Sequence, residues 1–321
     1  QNVFQTTFQD FSEPFLGWHW DLETQLVYLE NLFSKAGEER ATCLRTMAFK
    51  SSPAFQGMLD NLIEVIIEEA CEFFDVPLGQ QLIISAEEQR RLFTENYSYL
   101  PAHKRLRKIY QRIMFLLRPI KKRHLRKVFK EIANLPAFED ESWWAVAREA
   151  VKRVHDELDP ILDKLRSDLE IDYVHWYVRF WRDPILRQRV TGNLWLEEHG
   201  AGSLKSLETK AISFEDVVPL LYLKGELEGY PVRREIQHVV VDEVQDYAPI
   251  QLGILAKTFP RARFTFVGDV FQSLNPYVWQ AAETRLEDLF GKLGLKAMRL
   301  NKSYRSTEEI FRFCSGLLAA K

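Results

Sequence analysis

In the first two thirds of the chain apolar residues recur every three to four positions, the period of a helix with one buried face. Leu62, Val65, Ile66, Ala70 and Phe73 mark such a stripe within Asn61–Phe74, with carboxylates between them. Leu106, Ile109, Ile113, Leu116 and Ile120 mark a second, with an expected interruption before Pro119, which lacks an amide donor and crowds the preceding turn. Trp143, Trp144, Val146, Val151, Val154 and Leu158 mark a third within Glu141–Leu169. A break is expected at Asp75–Gly79, followed by a brief strand at Gln81–Ser85. Ser85 ahead of Glu87 and Glu88 reads as a helix N-cap, with acidic residues where the helix dipole favours them.

Gly192–Lys210 is rich in Gly, Ser and polar residues and reads as a connection. Beyond it the pattern turns to α/β. Ser213 and Asp216 have the spacing of a capping box, which predicts a helix over Phe214–Glu228 ended by Gly229. Ile236–Val241 is a β-branched run suited to burial on both faces of a parallel sheet. Pro249–Phe259 reads as a helix with proline in its first turn, Phe264–Val267 as a second buried strand, and Thr307–Leu318 as a last helix. Strands alternating with helices at these spacings predict an α/β fold with a doubly wound parallel sheet.

The chemistry sits at the ends of the two predicted strands. Val239–Asp246 reads VVVDEVQD, which puts two adjacent carboxylates at the strand's C-terminal edge, where open α/β sheets bind ligands. Phosphoryl transfer needs an acidic group for magnesium and another to orient water, roles suited to Asp242 and Glu243. Two carboxylates after a strand would alone read as a solvated turn. They are joined by Gly268-Asp-Val-Phe-Gln272 after the second strand and by Asn301–Ser306, which supplies the planar donor Arg305. Chance would place both strand-end patterns in about one chain in ten thousand of this length.

Charge adds a separate feature. Net charge is −3, yet His103–Lys130 holds 12 Lys and Arg and no Asp or Glu. Removing those 12 from the 43 basic residues leaves 31 against 46 acidic ones elsewhere. The stretch includes Lys104, Arg105, Arg107, Lys108, Lys121, Lys122 and Arg123. Three readings stand: contact with nucleic-acid phosphate, docking on an acidic protein, or a solvated helix face against which the acidic segment Phe138–Asp172 folds back. Cys43, Cys71 and Cys314 are widely scattered, which argues for reduced thiols in a cytoplasmic protein and against a metal site. No apolar run reaches the length of a membrane span, and Gln1–Phe11 lacks the features of a signal peptide.

With these residues in view, the chain resembles the UvrD/Rep group of superfamily I helicases. DEVQD at 242–246, GDVFQSL at 268–274 and NKSYRS at 301–306 look like that group's motifs II, III and IV. FEDVVPLLYLKGELEG, FKSSPAF at 49–55 and ISAEEQRRLFTENYSYLPAHKRL at 84–106 resemble its HelD branch, bacterial proteins that bind RNA polymerase. QTTFQDF at 5–11 looks like motif Ib, which brings Thr7 and Phe8 in as candidate nucleic-acid contacts.

The resemblance implies a RecA-like P-loop motor domain with an incomplete doubly wound sheet and a large, mostly helical insertion. It divides the chain into a motor segment at 1–11, the insertion at 12–210, the motor domain proper at 211–300 and a following motor segment at 301–321. It implies ATP and Mg2+ as cofactors, Asp242 on magnesium, Glu243 on the attacking water, and Gln272 and Arg305 toward the γ-phosphate. Gln245 and Asp246 would join that network, Asp269 would link the two strand-end motifs, and Tyr304 would serve packing. RNA polymerase and DNA are the implied partners; nothing sets the oligomeric state, and a monomer is the default expectation. The phosphate-binding pattern G-x-x-x-x-G-K-[ST] occurs nowhere in the sequence. The chain is therefore expected to be a piece of a longer protein with little ATPase activity by itself. A conventional UvrD-like repair helicase and a polymerase-binding module are the competing readings.

Overall fold

The structure, a computed structural model, describes residues 3–17, 21–139, 141–167, 171–192, 197–209, 211–269, 286–291, 294–298, 300 and 307–319. The chain is mixed α/β and mostly helical, and its described strands form three two-stranded sheets. It divides into two compact units, Gln1–Gln25 with Met58–Tyr230, and Leu26–Gly57 with Pro231–Lys321.

The first unit begins with α1 (Phe8–Leu16) and contains most of α4 (Pro53–Ala70). A short strand β1 (Asp21–Leu22) runs parallel to β4 (Ala211–Ile212), while β2 (Val76–Leu78) and β3 (Gln81–Ile84) form an antiparallel hairpin. The predicted break at 75–79 thus contains a strand, because Val76 and Leu78 turn inward and are buried. Ser85 caps α5 (Ala86–Arg91) as predicted, its Oγ accepting from the Glu88 N–H at 3.1 Å.

Next come two long helices, α6 (Ala102–Ala133) and α7 (Trp143–Ser167), packed against each other. The expected interruption before Pro119 does not occur, and α6 runs through it. Pro119 lies on the exposed side, where an unpaired carbonyl costs least, while Leu106, Ile109, Ile113, Leu117, Val128 and Ile132 keep the opposite face buried throughout. Packing outweighs the local cost of proline.

The unit closes with α8 (Tyr173–Arg182), α9 (Pro184–Thr191), α10 (Glu197–Glu208) and α11 (Phe214–Glu228). The predicted connection at Gly192–Lys210 is therefore largely helical. Its small residues serve close packing: a β-carbon on Gly200 would collide with the Trp181 ring, and Ser203 is fully buried. Ser203 Oγ donates to Asp216 Oδ1 at 3.0 Å, Tyr177 Oη donates to the same oxygen at 2.6 Å, and Ser213 Oγ donates to Oδ2 at 2.6 Å. The predicted capping box takes another form, since Ser213 uses its hydroxyl on the Asp216 carboxylate and not on a backbone N–H. Helix α11 ends, as predicted, at Gly229, whose φ of 98° suits glycine.

Buried phenols make this unit sensitive to alkali. Burial, then the Asp216 carboxylate, holds Tyr177 protonated well above the ordinary value of 10.0; burial and Glu226 do the same for Tyr230, and burial and Glu228 for Tyr173. In the unfolded chain these phenols ionise near pH 10. Their contribution to stability is therefore complete below about pH 10 and is lost as pH rises toward their folded values. Stability measured by denaturant from about pH 9 to about pH 12 should fall, and less steeply in Tyr177→Phe than in the parent. A flat profile would contradict the assignment.

The second unit contains α2 (Gln25–Ser34), α3 (Gly37–Lys50), a parallel pair of strands, β5 (His238–Val241) and β6 (Arg263–Phe266), and the helix α12 (Pro249–Thr258) that connects them. Residues 286–290 are helical, and a last helix spans Glu308–Ala319. Val239 pairs with Phe264 and Val241 with Phe266. Phe264 and Phe266 pack on Phe290, with ring centroids 4.8 and 5.1 Å away. The strands alternate instead of being buried on both faces as predicted: His238, Val240, Arg263 and Thr265 lie exposed, Val240 at 65%. Only one βαβ unit is present among the described residues, so the doubly wound sheet is not displayed.

Candidate nucleotide site at the strand ends

Strands β5 and β6 deliver the two motifs side by side. The Val267 N–H donates to the Val241 carbonyl at 2.9 Å and the Val244 N–H to the Val267 carbonyl at 3.0 Å, so the chains leaving both strands stay paired. Asp242 and Glu243 emerge exposed at this edge. Glu243 adopts φ 49° and ψ 43°, the one non-glycine residue with positive φ among those described. A left-handed conformation at a residue with a side chain costs on the order of 1–3 kcal/mol and persists where the surroundings impose it.

Gln245 holds the Glu243 side chain in place. It is 1% exposed, its Nε2 donates to Glu243 Oε2 at 2.6 Å, and its Oε1 accepts from the Asp269 N–H at 3.0 Å. One buried amide thus connects the carboxylate of the first motif to the backbone of the second. The Asp269 main chain thus meets Gln245 at the ends of the two strands. Gly268 does not adopt the positive φ of a tight turn; a β-carbon there would collide with Gln245 Oε1 and Val244 Cγ1. Glycine is required for close approach. Asp242 Oδ1 accepts from the Glu243 N–H at 3.0 Å, and Asp246 lies in the short 3-10 turn Val244–Asp246 that follows. Burial, with Asp242 nearby, raises the Tyr247 phenol above its ordinary value.

The donor set suits magnesium bound mainly by phosphate and water. No cluster of three His, Cys, Asp or Glu able to hold a metal exists among the described residues. Magnesium at nucleotide sites typically takes only one or two carboxylates, the remainder coming from phosphates and water. Asp242, exposed at the strand end with a second carboxylate oxygen, fits that pattern. Gln272, Tyr304 and Arg305 lie outside the described residues.

The other predicted contacts are distributed elsewhere. Thr7 Oγ1 accepts from the Asp10 N–H at 3.0 Å and so caps α1, and Phe8 packs on Phe11 with centroids 5.9 Å apart. Lys104, Arg107, Lys108, Lys122 and Arg123 are exposed on α6, and Lys121 is half-buried. Arg105 is already engaged: it donates to the carbonyls of Leu100 at 2.5 Å and Ser98 at 2.6 Å, and lies 5.1 Å over the Phe93 ring. Burial lowers its pKa, consistent with a structural use. The resemblance placed Gln245 in the network, but its central position was not legible in the sequence, since burial and a bridging geometry leave no periodic trace.

Two parallel strands joined by an α-helix thus bring two acidic motifs together at one sheet edge. Residues 78–292 match the UvrD/REP helicase N-terminal domain, and the chain belongs to that family. The family comprises ATP-hydrolysing, helicase-type enzymes that use ATP and Mg2+ and act on nucleic acid. The match includes Asp242, Glu243, Gln245 and Asp269, together with α6 and α7. No curated protein matches the chain. No helix among the described residues is long and apolar enough to cross a membrane.

Proposed function

We propose that this chain forms part of a HelD-like motor that uses ATP hydrolysis to remodel RNA polymerase or release it from nucleic acid. The observation that carries the hydrolytic half is the Glu243–Gln245–Asp269 connection across the ends of β5 and β6. In this reading Asp242 would hold magnesium, which would neutralise charge on the phosphate oxygens of ATP, whose γ-phosphorus is the electrophile. Glu243 accepts a hydrogen bond from the attacking water and aims it. Gln245 fixes the Glu243 carboxylate, and through the Asp269 N–H it ties that carboxylate to the segment leading to Gln272. By resemblance, Gln272 and Arg305 face the γ-phosphate. The strands would be core members of a doubly wound RecA-like sheet, with 12–210 as the helical insertion.

The polymerase half rests on the resemblance at 49–55, 84–106 and 214–229, and on the end of the α6–α7 pair. There Trp143 and Trp144 form an edge-on pair 4.7 Å apart, 61% and 73% exposed, with Phe129 beside them. Exposed tryptophans are the residues most enriched at protein-binding hot spots.

Pull-down of the full-length protein against RNA polymerase, with single-stranded DNA as parallel bait, tests the reading. Polymerase should be retained, and Trp143→Ala with Trp144→Ala should weaken retention at least tenfold, a change of about 1.4 kcal/mol. Tight DNA binding without polymerase retention would reassign the protein to conventional UvrD-like repair helicases.

A further inference from the structure

The basic stretch is not neutralised by the fold. Helix α7 packs on the apolar side of α6, and the one described ion pair between the two helices joins His124 Nε2 to Glu157 Oε2 at 2.8 Å. Elsewhere in the first unit several cations are paired: Arg179 with Glu69 at 2.8 Å, Arg189 with Glu68 at 2.6 Å, Arg153 with Glu149 at 3.2 Å. Along α6, by contrast, Lys108, Arg112, Arg118, Lys122, Arg126 and Lys130 are all exposed and have no acidic partner among the described residues. Among the described residues, Lys127 alone of the 12 has one, Glu131 at 3.8 Å on the same helix.

These six positions follow one another at four- to six-residue intervals and fall on one face of the helix. They span 22 residue steps, about 33 Å at the rise of an α-helix. In the middle of the same face stands Phe115, 64% exposed. A ring surrounded by cations and open to solvent is poorly explained by folding, which places apolar groups on the opposite face.

We propose that this face of α6 is a track for single-stranded nucleic acid, its cations following the phosphates and Phe115 stacking on a base. A straight row of charges favours a flexible strand, which can lie along it; a duplex backbone winds away. Cations that track the backbone, combined with an aromatic side chain that takes a base, form the general mode of sequence-independent single-strand recognition. An acidic protein surface would use the charges but would leave Phe115 without a stacking partner. The track stands independently of polymerase as a partner and involves none of the nucleotide-site residues.

The test is binding of the full-length protein to a fluorescent single-stranded homopolymer over a salt series. Arg112→Gln, Arg118→Gln and Lys122→Gln together remove three cations from exposed positions, so the fold should persist, as circular dichroism would check. The slope of log affinity against log salt should become shallower by about 2, since each phosphate contact to a single strand contributes roughly 0.7. Phe115→Ala should weaken binding by on the order of tenfold with the slope unchanged. Affinity and slope unchanged in both variants would overturn the proposal. So would a response of the triple variant alone, with polyglutamate competing as well as the oligonucleotide, which would identify an acidic protein as the ligand. Loss of polymerase retention would bear on the proposed function and leave this outcome untouched.

Discussion

Glu243→Gln in the full-length protein should bind ATP nearly as well as the parent and hydrolyse it roughly 10² to 10⁴ times more slowly, the range set by removing a positioned proton acceptor. The amide keeps the size of the side chain and can still meet Gln245 Nε2 through its oxygen, so the left-handed turn at 243 should survive. What it loses is the carboxylate that accepts from water. Asp242→Asn makes the contrast, because it should weaken magnesium-dependent nucleotide binding itself. Binding measured by a fluorescent ATP analogue and turnover measured by phosphate release separate the two. Hydrolysis that survives Glu243→Gln would remove Glu243 from its role at the water.

The largest structural loss is expected at Asp216. Its side chain is fully buried, in the first turn of α11 where the dipole favours an anion, and it accepts from Tyr177, Ser203 and Ser213. Asp216→Ala leaves the buried Tyr177 and Ser203 hydroxyls without that acceptor, and at about 1–3 kcal/mol for each stranded group the loss should reach roughly 3 kcal/mol. That is a large share of the 5–15 kcal/mol typical of a folded domain. Asp216→Asn retains one acceptor oxygen and should cost less than half as much, since the Ser213 hydroxyl can turn to accept from the new amide. Urea unfolding of the two variants decides it. Equal losses would mean that the space, not the acceptor, matters at this position.

Both residues show how differently sites are written into a chain. Asp242 and Glu243 were legible because a β-branched run followed by adjacent carboxylates is a local pattern, and position at a strand end follows from it. Asp216 was visible only as a capping residue. Its partners, Tyr177 and Ser203, are 39 and 13 positions away and meet it through helix packing that no short-range pattern records. Gln245 is intermediate: its place in the motif was plain, but its role as the bridge between two strand ends depends on how closely Gly268 lets them approach.

The same division runs through the fold. Helical periodicity, the cap at Ser85, the stop at Gly229 and the strands at 238–241 and 263–266 follow from local rules that act over a few residues, and the sequence determined them alone. Three matters were decided by tertiary packing. Pro119 stays inside α6 because the apolar face opposite it is buried along α7, and Gly200 and Ser203 lie in a helix because Trp181 and Asp216 need small neighbours. The exposure of Val240 likewise reflects which face of the strand pair Phe290 covers, through contacts with Phe264 and Phe266 about 25 positions away. Local rules select an element; only the burial available between elements decides whether a proline breaks it, a glycine loosens it or a strand is covered on both sides.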